Sequence, residues 1–164
     1  MPSPLTIRPA TPADAAALAE LRFDFRATLD PPREERADFL DRCTRWMRER
    51  LSAGSWRCWV AEEEGRLVGS VWLLPMEKLP NPVGEGEFHG YISNLYVMKQ
   101  LRGSGLGSEL LARALEVCDA QGFDSVFLWP TARSRSLYLR HGFVAGGELL
   151  VRRVGPSPAH GGSA

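Results

Sequence analysis

Between Tyr91 and Gln121 the apolar pattern changes period across a cluster of glycines, from a strand to a helix. Tyr91 to Met98 reads as a strand, whereas Leu106, Leu110, Leu111, Ala114, Leu115 and Cys118 recur at helical spacing until Gln121-Gly122 stops them. The join is Arg102-Gly103-Ser104-Gly105-Leu106-Gly107-Ser108. Glycines allow positive φ and let ligand atoms approach the main chain. The first N–H groups of a helix lack intrahelical partners and sit at the positive end of its dipole. A strand passing through such a turn into a helix can cradle phosphate, and a pyrophosphate fits the site.

The flanking sequence limits the architecture. Leu5 to Pro9 reads as a short strand. Thr11-Pro12-Ala13-Asp14 supplies an N-cap, a proline at the first helical position and an early carboxylate. Leu18, Leu21, Phe25 and Leu29 form one helical stripe. After Asp30-Pro31-Pro32, the residues Phe39, Leu40, Cys43, Met47 and Leu51 form a second, closed by Gly54. Trp56 to Glu62 and Leu67 to Leu74 are strand-like runs joined by the hairpin turn Glu63-Glu64-Gly65-Arg66. A long loop is expected over 75–90, a strand over Ser125 to Trp129, a short helix over 132–141 and one or two last strands from Phe143 to Val154 around Gly146-Gly147. The order β-α-α-β-β-β-α-β-α-β predicts one α/β domain over residues 1–154. Its mixed central sheet is antiparallel in the first half, has a parallel crossover in the second, and is flanked by about four helices. Residues 155–164 read as a disordered tail.

Twenty Lys+Arg balance twenty Asp+Glu among 164 residues, which excludes the overall basic charge of a dedicated nucleic-acid binder. No run reaches the roughly 18 apolar residues of a membrane helix, and Met1-Pro2-Ser3-Pro4 lacks the features of a signal peptide. A cytoplasmic protein without membrane or nucleic-acid partners is expected. Cys43, Cys58 and Cys118 have no CxxC spacing, and His89, His141 and His160 are scattered, so no disulfide framework and no metal site is expected. Oligomeric state is left open, a homodimer included.

Other phosphate motifs fail on residue identity. A P-loop needs Gly-Lys-Ser/Thr, but Lys78 precedes Leu79 and Lys99 precedes Gln100. A dinucleotide fingerprint starting at Gly103 needs its third glycine where Ser108 stands. A plain connecting turn stays open on this segment alone. However, Arg102-Gly103-Ser104-Gly105-Leu106-Gly107 resembles the R/Q-x-x-G-x-G/A acetyl-CoA motif of the GNAT (GCN5-related N-acetyltransferase) superfamily. Leu137-Tyr138-Leu139-Arg140-His141-Gly142-Phe143 is similar to that family's later LYxxxGF segment. The resemblance covers Leu5 to Arg153 in element order, with specific motifs only within 91–143.

The resemblance implies acetyl-CoA as cosubstrate and acetyl transfer to an amine by direct attack on the thioester. It places the backbone of Leu95 and Val97 against the pantetheine arm and the N–H groups of Arg102, Gly103, Ser104, Gly105, Leu106, Gly107 and Ser108 around the pyrophosphate. It makes Tyr138 the general acid. Many relatives carry an Asn where Thr131 stands, so Thr131 or Ser134 would replace that contact.

Acetylation needs a neutral amine, which makes a carboxylate the natural base. Glu87 is the candidate, from a loop that also holds Glu77 and leads to His89. Residues 1–90 carry 12 Lys+Arg and 15 Asp+Glu, net −3, and 91–164 carry 8 and 5, net +3, which favours a cationic amine on the acceptor side. The acceptor is read as a small-molecule or amino-acid-like primary amine. A protein N-terminus or lysine, and a non-catalytic acyl-CoA-binding role, are the alternatives. Trp46, Trp56, Trp59 and Trp72 fit either the core or an acceptor pocket.

Overall fold

A five-stranded sheet forms the middle layer, in the order β1-β2-β3-β4-β5. The computed structural model describes residues 4–145, 149–152 and 154. The strands are β1 (Thr6–Pro9), β2 (Arg57–Glu63), β3 (Arg66–Glu77), β4 (Phe88–Val97) and β5 (Ser125–Phe127). The helices are α1 (Ala15–Ala27), α2 (Arg36–Ala53), α3 (Leu106–Ala120) and α4 (Arg135–Arg140). The pairs β1–β2, β2–β3 and β3–β4 are antiparallel, and β4–β5 is parallel, as the connections require.

Alternation along the strands assigns two cores. Cys58 and Val60 of β2 and Trp72 of β3 face α1 and α2 through Ala15, Leu18, Ala19 and Met47. Trp59, Ala61, Val71 and Leu73 point the other way, with Ile92, onto the α3 stripe Leu106, Leu110, Leu111, Ala114 and Cys118 and onto Tyr138 of α4. The start of α1 is fixed by charge as well as by packing. Arg8 donates to both Asp14 carboxylate oxygens at 2.9 Å and also pairs with Glu62, while the Thr11 N–H donates to Asp14 at 2.7 Å. The Arg8 guanidinium, through its hydrogen bonds, lowers the Asp14 carboxyl to about 2.

Two expectations need correction. The loop expected over 75–90 is shorter, because β3 runs on to Glu77 and β4 starts at Phe88. Pro75 is tolerated inside β3 because the β2 ladder ends at Arg57↔Leu73, leaving the next stretch of β3 without a neighbour on that side. The described residues of 143–154 form no strand. Gly146-Gly147 and the tail expected over 155–164 lie outside the described residues.

Candidate active site

The parallel ladder between β4 and β5 stops early. It runs from His89↔Ser125 to Tyr91↔Phe127, yet β4 continues to Val97, so among the described residues its second half has no strand on the β5 side. Asn94 lies in this half with φ +52°, where the β3 register slips by one residue between Ser70↔Tyr96 and Trp72↔Ser93. This is a β-bulge, and bulges bend a strand and increase its twist. Main-chain groups of β4 are therefore available to an extended ligand beyond the point of divergence.

The strand feeds the glycine turn directly. Gly103 and Gly105 have φ +80° and +89°, with no atom within 4 Å of where a Cβ would stand. Among the described residues, no acceptor takes any of the six N–H groups from Gly103 to Ser108; the first intrahelical bond is Glu109 N–H to Gly105 C=O at 3.1 Å. The Arg102 N–H is already engaged by the Lys99 carbonyl at 3.4 Å. Arg102 instead braces the turn: its Nε donates to the Val97 carbonyl at 3.0 Å and its guanidinium covers the Tyr96 ring. The Ser104 hydroxyl donates to the Leu101 carbonyl at 2.6 Å. A run of unpartnered donors, open at Gly103 and Gly105 and at the positive end of a 15-residue helix, fits a pyrophosphate.

Helix α4 closes on the same end. A Cβ on Gly107 would touch Leu137 and Val97 at 3.7 and 3.8 Å, and the Ser108 hydroxyl lies 2.5 Å from His141 Nε2. Tyr138 is 8% exposed and packs edge-on against Phe143. Burial pushes its phenol above the usual value, with the Ser134 hydroxyl pulling the other way, so the proton is held throughout the neutral range. An open cavity of about 890 Å³ extends from Tyr138 between β5, α4 and the segment that follows.

The structure brings together Leu95, Val97, the 102–108 turn and the helix bearing Tyr138, but leaves out other residues. Glu87 is exposed at the far end of β4, about 25 Å from Leu95 at strand rise; it is not brought to this site. Thr131 and Ser134 turn on each other. The Thr131 N–H and hydroxyl meet Ser134 Oγ at 3.0 and 2.9 Å, and the Ser134 N–H returns to Thr131 Oγ1 at 3.3 Å, which caps the approach to α4.

A second cavity, of about 390 Å³, opens on the α1–α2 side of β4. Arg22, Phe39, Arg42, Cys43, Trp46, Met47, Trp56, Trp72, Ser93 and Asn94 line it. Sequence reasoning noted its tryptophans but missed Arg22, Arg42 and Asn94; an asparagine inside a strand, a residue that tolerates positive φ, was the available signal. The half-chain charge sums pointed to the opposite sign. They count exposed carboxylates far from the cavity, whereas its described lining holds two arginines and no carboxylate.

The family model for acetyltransferases of the GNAT family matches residues 16–143, which span the bulge, the glycine turn and α4. The chain belongs to the GNAT acetyltransferase family. It is 30% identical over 95 residues to N-alpha-acetyltransferase MAK3 of Arabidopsis thaliana, an alignment covering 56% of this chain and 47% of that protein. The chain spans under half the length of the curated relatives it matches. Among solved structures, a GCN5-related N-acetyltransferase from Ralstonia eutropha JMP134 superposes with a TM-score of 0.77 at 27% identity, covering 93% of this chain and all of that one. A predicted acetyltransferase from Clostridium acetobutylicum, crystallised with acetyl-CoA, shares the fold with a TM-score of 0.78 at 20% identity, covering 92% and 96%. No helix among the described residues is long and apolar enough to cross a membrane.

Proposed function

We propose that this GNAT-family chain is an acetyl-CoA-dependent N-acetyltransferase whose acceptor is the primary amine of a small-molecule or amino-acid-like compound. The six free N–H groups at the end of an open half-strand carry this reading. Acetyl-CoA supplies the acetyl group and leaves as coenzyme A. The N–H groups from Gly103 to Ser108 hold its pyrophosphate, and the main chain of Leu95 and the Val97 N–H align its pantetheine arm along β4, the Val97 carbonyl being held by Arg102.

Positioning does much of the work, because a bound amine beside the thioester meets it at high effective concentration. The amine nitrogen forms the C–N bond, the C–S bond breaks, and the Tyr138 phenol donates its proton to the departing sulfur. A buried phenol that stays protonated at neutral pH suits that role. With Glu87 remote and no carboxylate among the described residues lining the smaller cavity, the proton lost by the amine leaves to water, and water returns one to the Tyr138 phenolate.

The likeness to an N-alpha-acetyltransferase favours a second reading, in which the acceptor is a peptide N-terminus. Release of coenzyme A, measured with acetyl-CoA against a panel of free amino acids, simple amines and short peptides, tests both. Turnover of small amines alone supports the first reading. Turnover confined to peptides supports the second, and none with any acceptor refutes catalysis.

A further inference from the structure

The smaller cavity holds a charge that the protein does not balance. Arg22 is half-buried in it and forms no ion pair among the described residues. Its Nη1 donates only to the neutral Asn94 Oδ1, at 3.1 Å. Arg42, on the rim, differs, because Glu34 pairs with it at 2.5 Å. A half-buried cation without a counter-ion is costly unless an anion arrives.

Two further residues of the lining carry unpartnered donors. Trp72 Nε1 and Asn94 Nδ2 are buried without a hydrogen-bond partner, and Trp72 is 3% exposed. Buried polar groups are normally satisfied. Much of the wall is aromatic: the Trp46, Trp56 and Trp72 rings lie 5.6–6.2 Å apart, with Trp46 and Trp56 edge to face. The cavity also borders β4 at Ser93 and Asn94, immediately before the Leu95–Val97 stretch, and the pyrophosphate cradle lies beyond the opposite end of that stretch. The anion that Arg22 awaits therefore does not belong to the phosphate end of the cosubstrate.

We infer that this cavity is the acceptor site and that it selects a primary amine carrying a carboxylate beside an aromatic or apolar group, an aromatic α-amino acid being the simplest such molecule. Arg22 takes the carboxylate oxygens, and the tryptophans pack on the side group. This assignment rests on the acetyl-transfer reading, but binding tests it separately.

The test titrates the full chain with L-phenylalanine, L-phenylalaninamide, phenethylamine and O-phosphoethanolamine, following tryptophan emission, with coenzyme A release measured in parallel. Phenylalanine is expected to bind at least about tenfold more tightly than its amide or phenethylamine, the effect of losing one charge-assisted contact. Arg22→Gln removes that preference. Arg42→Gln reduces it less, because Glu34 already balances Arg42. Equal or tighter binding of phenethylamine overturns the assignment, as does no binding of phenylalanine, and tighter binding of phosphoethanolamine overturns the aromatic half of it. A carboxylate preference in binding without coenzyme A release supports the cavity and refutes acetyl transfer. Release without a carboxylate preference does the reverse.

Discussion

Replacing Gly105 separates backbone strain from ligand binding. Its φ of +89° in open space means that a side chain meets no clash but adopts a conformation L-residues disfavour by about 1–2 kcal/mol. Gly54, at the end of α2, has φ +70° and equally open surroundings, but lies away from the cradle. Gly54→Ala and Gly105→Glu should therefore each lower Tm by about 2–8 °C, at the 2–4 °C per kcal/mol usual for a chain of this size. Only Gly105→Glu should lose the cosubstrate. Losing two of the six N–H contacts, at about 1.5 kcal/mol each for charge-assisted bonds, weakens binding roughly 150-fold. The assay is thermal unfolding with acetyl-CoA at about 100 times the wild-type Kd. Wild type and Gly54→Ala should gain about 2.7 kcal/mol, or 5–10 °C, whereas Gly105→Glu should gain only about 1 °C. An acetyl-CoA shift in Gly105→Glu equal to that of wild type would refute the cradle.

Other perturbations address the remaining links. Tyr138→Phe should lower kcat by about 10²-fold while leaving the acetyl-CoA Kd unchanged, and a steady-state kcat equal to wild type would remove Tyr138 as the acid. Gly86→Ala places a Cβ 2.2 Å from the Gly122 carbonyl oxygen and 2.7 Å from the Asp124 nitrogen, both main chain. Denaturant unfolding should show a loss of about 2 kcal/mol or more, and wild-type stability would mean that this loop contact is absent in solution. Asp14→Asn should cost about 1–2 kcal/mol at pH 7, after allowing for solvent around Arg8. Because the folded carboxyl is lowered to about 2 from 3.8, its stabilisation is complete above the unfolded value and fades as pH falls from about 4 through 2. Denaturation curves of the two proteins should therefore converge on acidification, and a gap independent of pH would contradict the ion-pair account.

Elements whose burial follows a simple period were legible in the sequence. The α3 stripe, the β2–β3 hairpin and the glycine turn each follow from local spacing, and the positive φ at Gly103 and Gly105 is what those glycines imply. The bulge at Asn94 was legible only in the asparagine itself, because apolar residues on both faces of β4 hide the switch from Ile92 to Leu95 and Val97 on the α3 side. The position of Glu87 was not legible. Nearness to the site along the chain becomes distance once the strand extends, and β4 places Glu87 at the opposite end from Leu95. The cavity around Arg22 depends on how α1 and α2 cross the sheet, which is a tertiary fact. Its lining comes from five separate segments that no local pattern joins.

The central claim is that the N–H groups from Gly103 to Ser108 form a cosubstrate site, and calorimetric titration of the wild-type chain with acetyl-CoA tests it most directly. Saturable one-to-one binding with a Kd below about 1 mM is the predicted result. A folded sample that shows no heat of binding over that range would contradict it, leaving the glycines as a connection between strand and helix.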